Sequence, residues 1–522
     1  RSFGFIPALK YTKQATMKNR TAHPHVPRIA KLVFHSVAGL SVLGVIFLLF
    51  FPSVTGAQGL AERIQRVTLR NGIRLVMIQR QMSPTVAIYI RYRAGAVDEA
   101  DGKTGTAHLL EHMMFKGTKT IGSRDYLREE KIIRQIVKVG EMLDRERSKG
   151  KEAEPAKLKQ LTIWLKKLQN EQRHLTISNE IDRLYTENGA VGLNASTGQD
   201  LTTYQVSIPA NRIELWARIE SDRMQNPVFR EFYTERDVVM EERRQRSESD
   251  PDGKLLETFL ATAFMAHPYR RPILGWPSDM ESIDIPYMEK FFKSTHAPNN
   301  TVIAIVGDIH FPSVLKIVQK YFSQIPSRKL SFPLITKELI QSGERRIEVL
   351  FPAEPKIIMG YHKPPPPTFT DHVFDVIEYI LSQGRTSRLF KALVDEKRLA
   401  ENVQTVNGLP GARYPNQFVL FATPRSPYGC TELESAMNRE IERLKQESIS
   451  PQELEKVKNK IRANFIRGLD SNEGLASMLS YYEALLGDFR YLIEYLDNIE
   501  RITPQDILQT AQTYLNKENR TV

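Results

Sequence analysis

The chain has 522 residues, too many for one ordinary hydrophobic core, so two or more domains are expected. Hydrophobic residues make up 41% and charged residues 26%, which are ordinary globular values and exclude a collagen-like or broadly disordered chain. The net charge is +12, but residues 1–57 contain seven Lys and Arg and no Asp or Glu, so the remainder carries only +5. That remainder has no basic stripe interleaved with aromatic residues, which argues against a nucleic-acid-binding protein.

Residues 1–57 have the pattern of a leader segment. Arg28 and Lys31 precede an uncharged apolar stretch from Val37 to Phe51, and small residues follow as far as Ala57. This order is typical of a secretory signal, and the apolar stretch is shorter than the roughly 20 residues that a spanning helix needs. Cleavage after Ala57 is the favoured interpretation, and a retained N-terminal membrane anchor is the alternative.

The first domain is predicted to begin with strands and continue with helices. The segment from Arg66 to Ile78 reads as strand, turn and strand, and a third strand follows from Val86 to Tyr92. Helical periodicity is found at Thr106–Phe115, Arg212–Met224 and Glu231–Arg246. This order predicts an α+β fold in which helices cover a mostly antiparallel sheet.

The segment between these elements differs in composition from the rest of the first domain. Tyr126–Leu143 and Lys157–Leu175 are rich in charge and carry apolar residues at helical spacing. We interpret residues 126–185, approximately, as a helical hairpin inserted into the first domain. A surface feature is the favoured interpretation, and a specific docking role is the alternative.

An internal repeat predicts a second domain like the first. Ala297–Val302 leads into the buried strand Ile303–Val306, and Asn516–Val522 has the same character before the sequence stops. We therefore expect the given chain to end within its last strand. The predicted domains are residues 58–326, which contain the site described next, and residues 345–522, with a linker at 327–344. The second domain is expected to open with a strand at Arg346–Phe351. The single Cys430 excludes an internal disulfide, so stability must come from the cores.

The sequence His108-Leu109-Leu110-Glu111-His112 carries the chemistry. On a helix, His108 and His112 lie on one face, where two imidazoles can share a metal ion, and Zn²⁺ is the commonest ion for nitrogen and carboxylate ligands. Glu111 projects to nearly the same side, where a carboxylate can act as general base on metal-bound water. A pair of satisfied core histidines is the alternative interpretation.

This motif is the inverzincin signature, and the chain resembles the insulinase/pitrilysin family of zinc metallopeptidases. The resemblance is to the short, two-domain bacterial type, similar to the β subunit of mitochondrial processing peptidase. It runs from about Val67 to the end, through segments that include Arg93–Glu99, Ala107–Thr118, Gly192–Thr197, Glu220–Pro227, Glu235–Glu242, His267–Tyr269 and Val306–Asp308. It implies two homologous domains that form half of a clam-like chamber, and a zinc-dependent endopeptidase acting on unfolded peptides. A non-catalytic structural or binding subunit with the same fold is the alternative.

The resemblance also assigns residues outside the motif. Glu242 is implied as the third zinc ligand and Glu235, seven residues earlier on the same helix, as a second functional carboxylate of the catalytic site. Glu241 is the adjacent alternative ligand, rotated by about 100° on the helix. Asn194 and Ala195 match the family's edge strand, which receives substrate through backbone hydrogen bonds.

One departure from the family concerns partners. In single-chain relatives the second half supplies an arginine and, seven residues later, a tyrosine that bind the substrate carbonyl, whereas Val394 and Glu401 occupy those positions here. We therefore expect a homologous zinc-free subunit that supplies the pair in a heterodimer, with a homodimer as the alternative. No nucleic-acid partner is expected, and a membrane only if the leader is retained. The expected location is the periplasm of a Gram-negative bacterium, with possible anchoring in the inner membrane.

Overall fold

The computed structural model describes residues 56–522, which form two domains of mixed helix and sheet. The strands in this part of the chain are β1 (Ile64–Thr68), β2 (Arg74–Gln79), β3 (Thr85–Tyr92), β4 (Val191–Thr197), β5 (Thr202–Pro209), β6 (Thr301–Gly307), β7 (Ile357–Lys363), β8 (Ala400–Leu409), β9 (Asn416–Pro424) and β10 (Arg520–Thr521). The helices up to the second domain are α1 (Gly56–Arg63), α2 (Thr106–Met113), α3 (Tyr126–Arg147), α4 (Pro155–Leu175), α5 (Glu180–Thr186), α6 (Ile213–Gln225), α7 (Phe232–Arg243), α8 (Pro251–Ala263), α9 (Pro277–Ser282), α10 (Ile285–Thr295) and α11 (Phe311–Phe322). The helices of the second domain are α12 (Phe369–Leu381), α13 (Cys430–Gln446), α14 (Pro451–Gly468), α15 (Asn472–Leu486), α16 (Arg490–Arg501) and α17 (Pro504–Tyr514).

The first sheet has six strands in the order β1-β2-β6-β3-β5-β4. Only the pair β2 and β6 is parallel, and the other four pairs are antiparallel. All seven residues of β6 are buried, because both faces of the sheet are covered. One face packs on apolar side chains of the first-domain helices, among them Leu109 of α2 and Trp216 of α6.

The second sheet has four antiparallel strands in the order β10-β7-β9-β8. One face packs on helices of the same domain, with Phe374 of α12, Leu433 of α13 and Ile461 of α14 in the core. Both sheets are mostly antiparallel and covered by helices, which confirms the predicted fold class.

The two halves exchange helices across their sheets. The second face of the first sheet is covered by α15, whose Leu475 and Leu479 pack with Val76 of β2 and Val306 of β6. In return, α8 of the first half places Phe259 among apolar residues of the second sheet. Each sheet therefore completes its burial with a helix from the other half of the chain.

The predicted helical hairpin corresponds to α3 and α4, which pack against each other. Their inward apolar residues belong to the core of the first domain: Ile132, Ile136, Val139, Leu143, Leu161, Leu165 and Leu168. The outward face carries Trp164, which is 45% exposed.

The prediction of a strand at Arg346–Phe351 is wrong, since the structure has neither helix nor strand at these residues. The segment is extended and donates hydrogen bonds from Arg345 N to Arg520 O and from Ile347 N to Val522 O. Val522 N also donates to Arg345 O, which makes three backbone bonds, and Leu350 stays 91% exposed. The segment lies beside β10, where Arg345 forms an isolated parallel bridge with Thr521.

The predicted leader core, Val37–Phe51, lies outside the described residues. Within residues 56–522, none of the helices combines the length and the apolar character that crossing a membrane requires.

The exchange of helices predicts how Leu479 contributes to stability. Its side chain is completely buried between α15 and the first sheet, so Leu479→Ala should lower the free energy of unfolding by about 2–5 kcal/mol, through lost burial and the cavity left behind. Urea denaturation followed by circular dichroism measures this change. Ile466→Ala on the neighbouring α14, 57% exposed, is the control and should change stability by less than about 0.5 kcal/mol. Equal stability of the two variants would contradict the packing described here.

Candidate metal centre

Helix α2 presents His108, Glu111 and His112 from a well-packed base. Its remaining face is apolar, and Leu109, Leu110 and Met113 are completely buried in the first core. The helix is entered through Gly105, whose φ of 90° lies in the region that favours glycine. A Cβ at this position would lie 2.9 Å from the carbonyl oxygen of Leu274, so the turn is also closed sterically to larger residues.

The N-terminus of α2 is held by Glu99. This carboxylate is completely buried and accepts hydrogen bonds from the backbone N–H groups of Gly105 (2.8 Å) and Ala107 (2.7 Å). A helix N-terminus has unsatisfied N–H donors and a partial positive charge, and a carboxylate there satisfies both. Glu99 therefore fixes the start of the helix that carries the two histidines.

Helix α7 brings Glu242 to the same place. Glu242 Oε2 lies 3.5 Å from His112 Nε2 and 3.9 Å from His108 Nε2. The ligand atoms of these three residues all lie within 4.8 Å of one another, although 130 residues separate His112 from Glu242. The structure thus brings together the three residues that the sequence nominated as metal ligands.

The two helices are joined by the guanidinium of Arg230, which is completely buried just before α7. It donates to the carbonyl oxygens of Lys116 (3.0 Å), Thr118 (2.6 Å) and Ile121 (3.1 Å), in the loop that follows α2. Its Nε donates to both carboxylate oxygens of Glu129 on α3, at 2.9 and 3.0 Å. One side chain therefore fixes the loop after α2, the inserted hairpin and the start of α7.

Glu235 lies beside His112, as its position two helical turns before Glu242 predicts. Its Oε1 is 2.9 Å from His112 Nδ1, and its Oε2 is 2.5 Å from Lys116 Nζ. Burial by itself would raise the pKa of Glu235, but the hydrogen bonds from His112 and Lys116 outweigh it and lower the pKa to about 2. Glu235 is therefore an anion at neutral pH and orients the His112 ring.

The surroundings shift the pKa values of the two histidines in opposite directions. Burial lowers the pKa of His108 to about 4, so this ring is neutral at pH 7 and has a free lone pair. Burial also disfavours the charged form of His112, but hydrogen bonds to Glu235 and Glu242 outweigh it and raise its pKa to about 9. Burial would raise the pKa of Glu242, yet the hydrogen bond from His112 and nearby positive charge, including that of Arg246, lower it. The carboxylate of Glu242 is therefore ionised.

Glu111 is 8% exposed and accepts a short hydrogen bond from the hydroxyl of Thr197, at the end of β4. Burial raises the pKa of Glu111 to about 7, against the opposing effects of that hydrogen bond and of His112. A carboxylate with a pKa near neutrality can take up and release a proton at physiological pH. Its bond to Thr197 fixes its position relative to β4.

Strand β4 forms one edge of the first sheet, as predicted for Asn194 and Ala195. These two residues pair with Gln205 and Tyr204 of β5 on the inner side. No other strand of residues 56–522 pairs with the outer side, so its backbone groups are available to an extended peptide. This edge lies next to Glu111 because of the contact with Thr197.

The donor set fits a divalent ion such as Zn²⁺. Two imidazole nitrogens and a carboxylate oxygen are typical zinc ligands, and tetrahedral bonds of about 2.0–2.1 Å place ligand atoms roughly 3.3 Å apart. The distances of 3.5 and 3.9 Å from Glu242 to the histidines approach this value, and the longer one exceeds a hydrogen bond. Glu241, the alternative ligand, is exposed and pairs with Arg244 instead.

Several residues of the centre were not found from the sequence. Lys116, Thr197 and Arg230 act through contacts between segments far apart in the chain, which single-sequence periodicity does not report. Glu99 acts nearer in sequence, through a loop that returns its side chain to Gly105 and Ala107, and periodicity does not report that either. Arg246 lies one turn after Glu242 and bonds its Oε1 at 2.9 Å, in a π-helical segment (Arg244–Glu248) that continues α7. A π-helical turn is common at functional sites, but no sequence pattern marks it.

Val394 and Glu401, the two positions noted in the second half, differ from the residues of this centre in their surroundings. Val394 is partly buried against the core of the second domain, in a π-helical segment from Phe390 to Glu396. Glu401 is exposed on β8. Neither side chain can donate a hydrogen bond to a carbonyl oxygen at neutral pH.

The chain matches two family models. The model described as insulinase (peptidase family M16) matches residues 74–134 and 164–276, on both sides of the inserted hairpin. The model described as the peptidase M16 inactive domain matches residues 282–461. Together the two models match more than half of the chain.

Similar proteins include relatives of comparable length and one that is about twice as long. A protein named zinc protease PqqE from Helicobacter pylori is 25% identical over 494 residues, covering 93% of this chain and 98% of the relative. The crystal structure of a protease from Helicobacter pylori superposes with a TM-score of 0.74 at 24% identity, covering 88% of this chain and 98% of that one. The periplasmic protease PqqL from Escherichia coli has a TM-score of 0.65 at 17% identity, where 88% of this chain covers 47% of that protein. At these identities the two structures show the fold alone.

The family models and the fold agree with the resemblance read from the motifs, and the chain belongs to the insulinase family of peptidases, family M16.

Proposed function

We propose that this chain is a zinc-dependent endopeptidase that hydrolyses unfolded peptides or short polypeptides. The observation that carries the proposal is the convergence of His108, His112 and Glu242 beside Glu111, at the free edge of β4. Relatives that carry the name zinc protease support it.

In the proposed reaction these residues have separate roles as metal ligands, orienting group and general base. His108, His112 and Glu242 would hold the ion, and Glu235 orients His112 through its Nδ1. When bound, Zn²⁺ supplies a Lewis acid that acidifies water and polarises a carbonyl group. Glu111, with a pKa near 7, takes a proton from the attacking water and returns it to the departing amine.

The substrate would bind as an added strand. An extended peptide that pairs with the outer side of β4 near Asn194 and Ala195 gains backbone hydrogen bonds with little dependence on its sequence. A folded protein has no free strand to offer, so this mode of binding selects unfolded chains. In a closed chamber made with a second subunit, size would add to that selection.

We also propose that the protein works outside the cytoplasm. The basic segment, the short apolar stretch and the small residues before Ala57 support export to the periplasm, with an inner-membrane anchor as the alternative. A structural neighbour is described as a periplasmic protease.

The general base gives the first test. Glu111→Gln removes the proton acceptor but leaves the three ligands, so peptide cleavage should fall by about 10²–10⁴-fold while the chain keeps about one zinc ion. Cleavage of an unstructured fluorogenic peptide and metal content by atomic absorption measure the two effects. Glu241→Gln, an exposed carboxylate on α7, is the control and should behave as the unmodified chain. Near-normal turnover of Glu111→Gln would exclude Glu111 as the base. Zinc-loaded protein that cleaves nothing, even with its partner, would favour a non-catalytic subunit.

The third ligand gives the second test. Glu242→Gln replaces a charged ligand oxygen by a neutral amide, so zinc retention on dialysis against a chelator should drop at least about tenfold. Glu241→Gln should retain zinc as well as the unmodified chain, because Glu241 pairs with Arg244 and lies outside the cluster. Equal loss of zinc from both variants would refute the assignment of Glu242.

The second half supports a proposal about assembly. Val394 and Glu401 offer no donor to a substrate carbonyl, and a missing oxyanion donor lowers turnover by about 10²–10³-fold. We therefore expect the chain alone to bind zinc but to cleave peptides slowly, and a homologous zinc-free subunit that supplies an arginine and a tyrosine to restore activity. Specific activity of the chain purified alone, compared with the chain co-purified with that subunit, tests this. Full activity from a homogeneous monomer or homodimer would refute it.

A further inference from the structure

A cavity of about 370 Å³ lies between the two halves of the chain. Ser196 and Gly198, at the end of β4, line it on the first-domain side. Residues of α12 and α15 line it on the other side. This volume lies within the range of small-molecule sites, about 300–1,000 Å³.

One wall of the cavity is acidic. Asp371, Asp375 and Glu378 project from α12, and within residues 56–522 the lysine that bonds to this group is Lys363, through Asp371. No Lys, Arg or His of residues 56–522 lies within 4.0 Å of the carboxylates of Asp375 or Glu378. The wall therefore carries two carboxylates without a counter-charge.

Asn407, on the same wall, leaves an acceptor unused. Its Nδ2 donates to Asp375 Oδ1 (2.8 Å) and to the carbonyl oxygen of Asp371 (3.1 Å), which fixes the orientation of the amide. Its Oδ1 is buried and receives no hydrogen bond. Buried acceptors without a donor are rare in native proteins, and this one adds to an acceptor-rich wall.

A second wall carries the guanidinium of Arg91, which lies over the rings of Tyr89 and Tyr481 at 5.7 and 5.6 Å from their centroids. Arg91 is 7% exposed and donates only to neutral groups, namely the hydroxyls of Thr203 and Ser480 and two oxygens of Ser477. No carboxylate of the described residues lies within 4.0 Å of its guanidinium. A buried charge is costly unless an opposite charge compensates it.

Aromatic rings complete the lining: Tyr379, Tyr481, Tyr482, Tyr491 and Tyr495. The rings of Tyr482 and Tyr491 lie 4.9 Å apart, and the Tyr495 hydroxyl donates to Asp375 Oδ2 at 3.0 Å. Aromatic faces attract ammonium and guanidinium groups, and the attraction grows when the cation is removed from water.

We propose that this cavity binds a small zwitterion with a basic side chain, a free amino acid or the C-terminal residue of a short peptide, whose cationic group meets Asp375 and Glu378 and whose carboxylate meets Arg91. The ligand would supply both missing counter-charges. This inference goes beyond the proposed peptidase activity and does not depend on it, because none of these residues belongs to the metal centre.

The ionisation of the acidic wall agrees with this assignment. Burial, followed by repulsion from Asp371, raises the pKa of Asp375 to about 8, and burial raises that of Glu378 to about 7. Both carboxylates are therefore costly to ionise in the empty cavity, and a bound cation would favour their charged forms.

Isothermal titration calorimetry of the full chain tests the proposal with three matched ligands. L-arginine should bind with one site per chain. L-citrulline has the same shape without the cation, and agmatine has the cation without the carboxylate, so each should bind at least about tenfold more weakly, a loss of about 1.4 kcal/mol. The tripeptide Ala-Ala-Arg separates the two sources: binding as tight as arginine indicates a peptide terminus, and exclusion of the peptide indicates a free amino acid.

Substitutions locate the site. Asp375→Asn and Glu378→Gln, made separately, should each weaken arginine binding at least about tenfold, because a charge-assisted hydrogen bond is worth about 1.5–3 kcal/mol. Glu440→Gln, a buried carboxylate on α13 outside the cavity, is the control and should bind arginine unchanged. If either cavity variant fails to fold by circular dichroism, the other variant and the ligand series on the unmodified chain still decide. No saturable binding of any ligand at about 10 mM, equal binding of arginine and citrulline, or unchanged affinity in the folded cavity variants would overturn the proposal.

Discussion

The buried guanidinium of Arg230 is the contact on which the metal centre depends. Three carbonyl oxygens of the loop after α2 and the carboxylate of Glu129 on α3 all meet this side chain, immediately before α7 begins. Breaking a buried pair of this kind typically costs about 3–5 kcal/mol, because the remaining charge stays buried without a partner and without water. The inserted hairpin is therefore part of the support for the centre as well as a surface feature. It separates His112 from Glu242 along the chain, yet its first helix helps to hold them together in space.

Strand β4 connects the metal centre to the interdomain cavity. The hydroxyl of Thr197 bonds to Glu111, and its neighbours Ser196 and Gly198 line the cavity. A peptide paired along β4 would thus run from the proposed catalytic carboxylate towards the cavity between the halves. The two sites differ in how charge is handled. At the metal centre each charged group has a partner in the chain, such as Glu235 with Lys116, whereas the cavity leaves charges of both signs uncompensated.

Local patterns in the sequence predicted the elements that carry the centre, and contacts between distant segments decided the rest. Helical spacing alone places His108 and His112 on one face, and the family resemblance selected Glu242 over Glu241, a choice with which the geometry agrees. The roles of Lys116 and Thr197 depend on which segments meet in three dimensions, which spacing along one sequence does not encode. The strand expected at Arg346–Phe351 failed for the same reason. Its residues have strand-like composition, but a strand needs a continuous neighbour, and only three backbone bonds, at Arg345 and Ile347, are formed there.

The exchanged helices α8 and α15 have a consequence for how the molecule can be divided. Each sheet has one apolar face that its own half does not cover, so neither half expressed alone would be free of exposed hydrophobic surface. Cohesion between the halves therefore rests on interleaved packing, to which Glu338 adds hydrogen bonds from the backbone N–H groups of Met265, Ala266 and His267. The same interlocking would let the two halves remain associated if the connection were cut, as a complex of two fragments.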